Sequence, residues 1–162
     1  LWLLEVYRQA RFQFRRPVQL VMVGRDEGDA AAVNAVVVEH GLQAEVILTG
    51  EVSDSELTKL YGETDLFTLF SQYEAFGLVF FEAMVHGAPV LTHDVGANSE
   101  LLERGAVVVP RYDRKAAISA MIRLVNDDSH RQQLGSAAQE YALPEFTWPG
   151  VAEKYLEVYQ EA

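Results

Sequence analysis

The sequence has no cysteine, which excludes disulfides, thiolate metal ligands and a cysteine nucleophile. Basic residues are scarce too: 13 Lys and Arg stand against 24 Asp and Glu, for a formal net charge of -11. Such a chain repels a polyanion unless its few cations cluster, and they do not, so no nucleic-acid partner is expected. The four histidines, His40, His86, His93 and His130, lack the helical spacing of metal ligands, and no metal is expected. No apolar run approaches the roughly 18 to 20 residues that span a bilayer. The start carries no signal-peptide pattern, so a cytoplasmic protein is expected, with peripheral membrane association left open. The first residues, LWLLEVYRQARFQF, offer neither an initiator methionine nor a capping residue ahead of a helical pattern. We expect a piece of a longer protein, cut inside or just before a helix.

What is present suits one globular domain: 162 residues, 49% of them hydrophobic, are enough for one sizeable core and too few for two. Residues 2–14 carry apolar side chains at helical spacing and stop before Arg15, Arg16 and Pro17. Strand-length apolar runs follow at 18–24, 44–50, 65–70, 89–92 and 106–110. They show little polar alternation, as expected of strands buried on both faces. Helical segments lie between them. Ser53 with Glu56 forms a capping box, Asn98 and Asp113 are helix starts, and Gly41 and Gly105 are stops. The alternation predicts an α/β doubly wound fold with a mostly parallel sheet. Residues 128–162 show only helical signals, with Thr147 as a candidate N-cap and Pro149 in the first turn, and read as a C-terminal helical extension.

The chemistry concentrates in SQYEAFGLVFFEAMVHGAPV, residues 71–90. The segment 71–77 is expected to be a loop at a carboxyl end of the sheet, where open α/β sheets bind ligands. The helix after it starts near Leu78 and ends at Gly87. Its N-terminal amides, near Phe76, Gly77 and Leu78, favour an anion such as phosphate, and Gly77 permits close approach. Glu82 lies among Leu78, Val79, Val85 and His86 on its helix face, so no polar stripe accounts for it. A carboxylate there is either buried with a partner or faces a cleft, where its two oxygens suit a ribose diol. Glu74, in the loop, would face a group farther along the same ligand, as in a nucleotide sugar laid along the crevice. From the residues alone, Glu74 as a helix cap and Glu82 as a structural hydrogen-bond partner account for the pattern as well.

The pattern S-x-x-E-A-F-G-L-V-x-x-E-A-M-x-x-G-x-P-V, with Val95, Gly96 and Glu100 after it, resembles the C-terminal domain of the group 1, or family 4, glycosyltransferases of the GT-B fold. The likeness extends through LVMVGR, ILTGEVSDSELTKLY and FTWPGVAEKYLEVY. It implies a retaining glycosyltransferase that uses a UDP-, GDP- or ADP-linked sugar as substrate and needs no metal or other cofactor. By that resemblance Glu82 binds the ribose hydroxyls, and Glu74 is the catalytic-site carboxylate contacting the donor sugar. Ala75, Phe76, Gly77 and Leu78 hold sugar hydroxyls and diphosphate, and Gly24, Arg25, Gly50 and Val52 approach the nucleotide. The family's basic Arg and Lys pair, on the first strand of this domain and the loop after it, would lie upstream, as would the acceptor-binding N-terminal domain. Residues 1–162 are therefore expected to be a donor-binding domain lacking its first strand, and inactive alone. The family's second glycine after Gly96 is Ala97 here, and its glycine turn before residue 106 is shortened. Two other readings stay open: a glycoside hydrolase using Glu74 and Glu82 as its carboxylate pair, and a non-catalytic module that keeps the fold.

For the other candidates, a crevice-lining polar role is expected for His93 rather than an acid/base dyad with Asp94, and surface positions for Arg111, Arg114 and Lys115. Phe67, Phe70, Phe80 and Phe81 are expected in the core. Trp2, Trp148, Tyr155 and Tyr159 are expected to pack the terminal helices.

Overall fold

The computed structural model describes residues 1–161. Helix and strand alternate as α1 (Trp2–Ala10), β1 (Leu20–Val23), α2 (Ala30–Glu39), β2 (Val46–Gly50), α3 (Asp54–Glu63), β3 (Phe67–Thr68), α4 (Leu78–Val85), β4 (Val90–His93), α5 (Asn98–Leu101) and β5 (Ala106–Val109). Three helices complete the chain: α6 (Arg114–Asn126), α7 (Asp128–Glu145) and α8 (Trp148–Glu161). Every strand pair is parallel, and parallel neighbours require helical crossovers. The strands form a pair, β1-β2, and a triplet, β3-β4-β5, so β1 and β3 each end a hydrogen-bonded ladder.

Strand β4 shows why its sequence is uniformly apolar. Val90 joins a core of Phe80, Phe81, Met84, Leu102, Ala138 and Ala142, contributed mainly by α4 and α7. Leu91, its neighbour on the opposite face, joins a core built by α1 and α6 through Leu4, Val6, Ala117 and Leu124. Helices thus cover both faces of the triplet, as doubly wound sheets require. The β1-β2 pair departs from the expectation of two buried faces. Leu20 and Val46 are buried beside Val33 and Val37 of α2, whereas Val21, Val23 and Ile47 are 38%, 41% and 41% exposed. The reason is that α3, which follows β2, packs on α4 instead, with Tyr61, Ala83 and Ala88 forming a small core of their own.

Local signals place most helix ends. Ser53 and Glu56 make the reciprocal capping box of α3, and the Asp113 carboxylate accepts from the Ala116 amide at the start of α6. Asn98 begins α5, but that helix is a single turn, shorter than 98–105. The strand expected over 65–70 is reduced to two residues. Thr147 does not cap α8 with its side chain, because its hydroxyl donates to the Leu143 carbonyl. The C-terminal region is not all appendage. Ala138 and Ala142 of α7 are fully buried, and Gly135 lies so close to the Gly87 carbonyl that a Cβ would come within 2.3 Å of it. Helix α8 meets the end of α7, where a Cβ on Gly150 would lie 1.8 Å from the Pro144 carbonyl oxygen. Trp148, Tyr155 and Tyr159 are 88%, 61% and 73% exposed, with the rings of Tyr155 and Tyr159 tilted against each other at 6.4 Å between centroids. Trp2 does pack, edge-on against Phe70 with ring centroids 4.5 Å apart.

Candidate functional site

The loop from Ser71 to Gly77 follows the end of β3 and turns the chain into α4. Gly77 makes that turn in the left-handed region, at φ 72° and ψ 53°. A Cβ there would stand 2.4 Å from the ring of Phe80, which is fully buried, and 3.2 Å from Cγ of Glu74. Glycine is therefore required both by backbone conformation and by space. The Phe80 amide donates to the Gly77 carbonyl at 2.9 Å. The amides of Phe76, Gly77 and Leu78 have no acceptor among the described residues, which leaves the helix N-terminus open to an anion. Ala75, Phe76 and Leu78 are exposed, and Gly77 is buried beneath them.

The far ends of β4 and β5 hold this loop from behind. The Thr92 hydroxyl donates to the Leu69 carbonyl at 2.7 Å, and Nε2 of His93 donates to the Ser71 carbonyl at 2.6 Å. Nη2 of Arg111 donates to the Gln72 carbonyl at 2.9 Å, with its guanidinium over the ring of Tyr112 at 4.8 Å. Gly96, at φ 56°, abuts the loop so tightly that a Cβ would lie 1.7 Å from the carbonyl oxygen of Glu74. Glu74 is half-buried and accepts a long hydrogen bond, 3.4 Å, from the Ser71 hydroxyl.

These contacts revise one expectation. His93 does not line the crevice: it is 1% exposed, with its ring against Trp2, Phe70 and Tyr112. Asp94, pointing to the other side, is exposed and accepts from the Ser99 hydroxyl, so the two form no dyad. Arg111 is exposed, the surface position expected of it, and the loop carbonyl and the Tyr112 ring hold its guanidinium there. Nothing local in the sequence signals either contact, since Ser71 and Gln72 lie 22 and 39 residues away from their partners.

Of the two placements expected for Glu82, burial with a partner or facing a cleft, the structure excludes burial. The residue is exposed, on a stripe with Leu78, which is 65% exposed, and His86. An almost wholly apolar helix keeps such a stripe because Phe80, Phe81, Ala83 and Met84 satisfy the core from its other sides. Oε2 of Glu82 accepts from the Tyr61 hydroxyl at 3.0 Å. Burial, and then the Glu82 carboxylate, push the Tyr61 phenol well above its ordinary range, so it remains a proton donor at neutral pH.

At the ends of β1 and β2 the Gly24 amide donates to the Gly50 carbonyl at 3.0 Å. Both glycines have positive φ, 145° and 69°, and a Cβ on either would meet nothing within 4 Å. Arg25 is exposed and pairs with Glu27 at 3.2 Å, and Val52 is half-buried. The structure thus brings Gly24 to Gly50, and Glu74 to Gly77 and Gly96. No hydrogen bond among the described residues joins the first pair to the 71–77 loop. A separate open cavity of about 470 Å³ lies against α5 and β5, and its lining includes Asp94, Ser99 and Glu103 but neither Glu74 nor Glu82.

An open helix N-terminus flanked in sequence by two carboxylates can take up a ligand that combines negative charge with hydroxyl donors. Comparison with known proteins places the chain in a family. The chain is 34% identical over 152 residues to the D-inositol 3-phosphate glycosyltransferase of Corynebacterium diphtheriae, an overlap of 91% of this chain and 35% of that protein. It superimposes on a sucrose-phosphate synthase from Thermosynechococcus elongatus with a TM-score of 0.79 and 28% identity, covering 97% of this chain and 41% of that one. A likeness in fold alone extends to Anabaena HepE in complex with UDP and glucose, with a TM-score of 0.79, 23% identity, and coverage of 98% and 44%. The profile of the family described as glycosyl transferases group 1 matches residues 2–141. The chain therefore belongs to the group 1 glycosyl transferases and carries the Rossmann-like α/β fold of their GT-B architecture.

Proposed function

We propose that this chain is the donor-binding part of a retaining glycosyltransferase that takes a sugar from a nucleotide diphosphate and passes it to an acceptor held by a preceding domain. The observation that carries this reading is the open start of α4, where the amides of Phe76, Gly77 and Leu78 have no acceptor among the described residues. In this reading those amides meet the diphosphate, Glu82 accepts from the ribose hydroxyls, and Glu74 faces the donor sugar near its anomeric carbon. Gly24, Arg25, Gly50 and Val52 lie toward the base. The Tyr61 hydroxyl donates to Oε2 of Glu82, so the carboxylate already serves as an acceptor there, the role a diol requires of it.

Catalysis would come chiefly from stabilising charge on the leaving diphosphate as the glycosidic bond breaks. The helix N-terminus would contribute to this, together with an upstream Arg and Lys pair, and without a metal. The edges left at β1 and β3 support one further strand between them, supplied by sequence ahead of α1, as in the strand order of doubly wound nucleotide-binding sheets. The UDP complex of a protein with the same fold makes UDP the first nucleotide to try, ahead of GDP and ADP. A cytoplasmic location accords with this donor chemistry.

The direct test is calorimetric titration of UDP-, GDP- and ADP-sugars into wild type and Glu82→Gln. The wild type should bind at least one nucleotide sugar, and the variant should bind it about tenfold more weakly, since a hydrogen bond to a charged group is worth roughly 1.5–3 kcal/mol. Equal affinities would remove the ribose role. Without the upstream pair, residues 1–162 should hold a donor weakly and show no turnover; measurable glycosyl transfer by this chain alone would overturn that part.

A further inference from the structure

We infer that Tyr61 is a positioning residue for Glu82, holding one carboxylate oxygen so that the other faces the ribose diol and the site distinguishes ribose from deoxyribose. This rests on the ribose reading of Glu82 given above. Glu82 lies on the exposed stripe of α4, where a flexible side chain samples several rotamers, and freezing it on binding would cost affinity. Tyr61 comes from a different helix, α3, and is itself only 7% exposed. Its ring is wedged by Phe67, with centroids 5.8 Å apart, and stacked on His86 at 5.7 Å and 24°. It packs in the small core with Ala83 and Ala88. Among the described residues its hydroxyl bonds only to Oε2 of Glu82, at 3.0 Å.

A buried phenol needs a hydrogen-bond partner, and here that need fixes the orientation of a solvent-facing carboxylate. The remaining oxygen, Oε1, accepts from no protein donor among the described residues, and Oε2 keeps a second lone pair. The carboxylate can therefore still receive both vicinal hydroxyls. His86 completes the support. Its Nδ1 donates to the main-chain carbonyl of Glu82 at 2.8 Å, one turn along the helix, which holds its ring against Tyr61. The phenol, kept protonated by burial and by the carboxylate beside it, presents the same donor throughout the neutral range.

Titration of UDP and of 2′,3′-dideoxy-UDP, followed by NMR up to millimolar concentration, tests this in wild type, Tyr61→Phe, Glu82→Gln and the double variant. Tyr61→Phe keeps the ring and its stacking and removes one oxygen, and a thermal melt checks that the fold survives. Wild type should prefer UDP over the dideoxy analogue by about tenfold, Glu82→Gln should abolish that preference, and Tyr61→Phe should cut it to about threefold or less. Affinity for the analogue should stay unchanged in both, and the double variant should lose no more than Glu82→Gln alone. A merely structural Tyr61 would instead weaken both nucleotides equally, or neither. If Tyr61→Phe keeps the preference that Glu82→Gln loses, the positioning role is overturned and the ribose reading stands. If wild type does not discriminate, or binds no UDP at millimolar concentration, the ribose reading fails and the inference fails with it.

Discussion

Replacing Gly96 by alanine probes the fit between the turn after β4 and the loop that carries Glu74. A Cβ at Gly96 would sit 1.7 Å from the Glu74 carbonyl oxygen and 3.0 Å from its carbonyl carbon, against the 3.4–4 Å of ordinary contact. The two backbones must part by roughly 1.7 Å, and backbone, unlike the end of a flexible side chain, yields only by moving its whole segment. Left-handed backbone at φ 56° adds about 1–2 kcal/mol for a non-glycine residue, and overpacking adds about 1–3 kcal/mol. Together these lower the melting temperature by about 5–15 °C for a domain of this size. The displacement falls on Glu74, at the proposed sugar end, and not on Glu82, at the proposed ribose end. Gly96→Ala should therefore keep UDP affinity within about threefold while losing any added affinity for UDP-glucose, because misplacement by about 1 Å can cost a hundredfold in a positioned site. Differential scanning fluorimetry with paired titrations of UDP and UDP-glucose measures both. Gly62→Ala, in α3 with nothing within 4 Å of a Cβ, is the control and should be neutral or stabilise by up to about 1 kcal/mol. Gly96→Ala melting with the wild type and binding both ligands unchanged would refute the reasoning.

Three further outcomes follow from the same geometry. Gly77→Ala forces a Cβ to 2.4 Å from the buried Phe80 ring in a left-handed turn, and should destabilise by about 2–4 kcal/mol in chemical denaturation. Arg131 is 6% exposed, donates to the Leu124 and Val125 carbonyls, and pairs with Asp128 at 2.6 Å. Arg131→Ala orphans two carbonyls at the end of α6, for an expected loss of about 2–4 kcal/mol that Arg131→Lys recovers only in part. Glu5 is held down to about 2 from 4.5, first by its hydrogen bond from Arg8 and against the opposing effect of burial. Its stabilisation is present above pH 4.5 and is lost as pH falls toward 2, so acid melts of wild type and Glu5→Gln should converge over that interval.

The alternation of strands and helices was legible because each apolar run has strand length, and because Ser53, Glu56 and Asp113 mark their helix starts through bonds to residues three positions on. The turn at Gly77 and the two carboxylates were legible for the same reason, since the loop and the first turns of α4 are contiguous in sequence. The half-exposed β1-β2 pair was not. Val21, Val23 and Ile47 read as buried, and only the docking of α3 on α4 rather than on that face explains their exposure. Whether Glu82 is buried or faces outward was not legible either, because apolar neighbours on a helix do not reveal which stripe the core leaves uncovered.

By itself the sequence determined the α/β order, the glycine-led turn into α4 and the residue types at the proposed donor end, all of which depend on interactions within a few residues. Tertiary structure alone decided what orients them. The Tyr61 hydroxyl on Glu82, 21 residues distant, His93 and Arg111 on the loop carbonyls, and Gly96 against Glu74 are long-range contacts. Their partners meet only when separate crossovers bring helix faces and strand ends together, and no local periodicity records such a meeting.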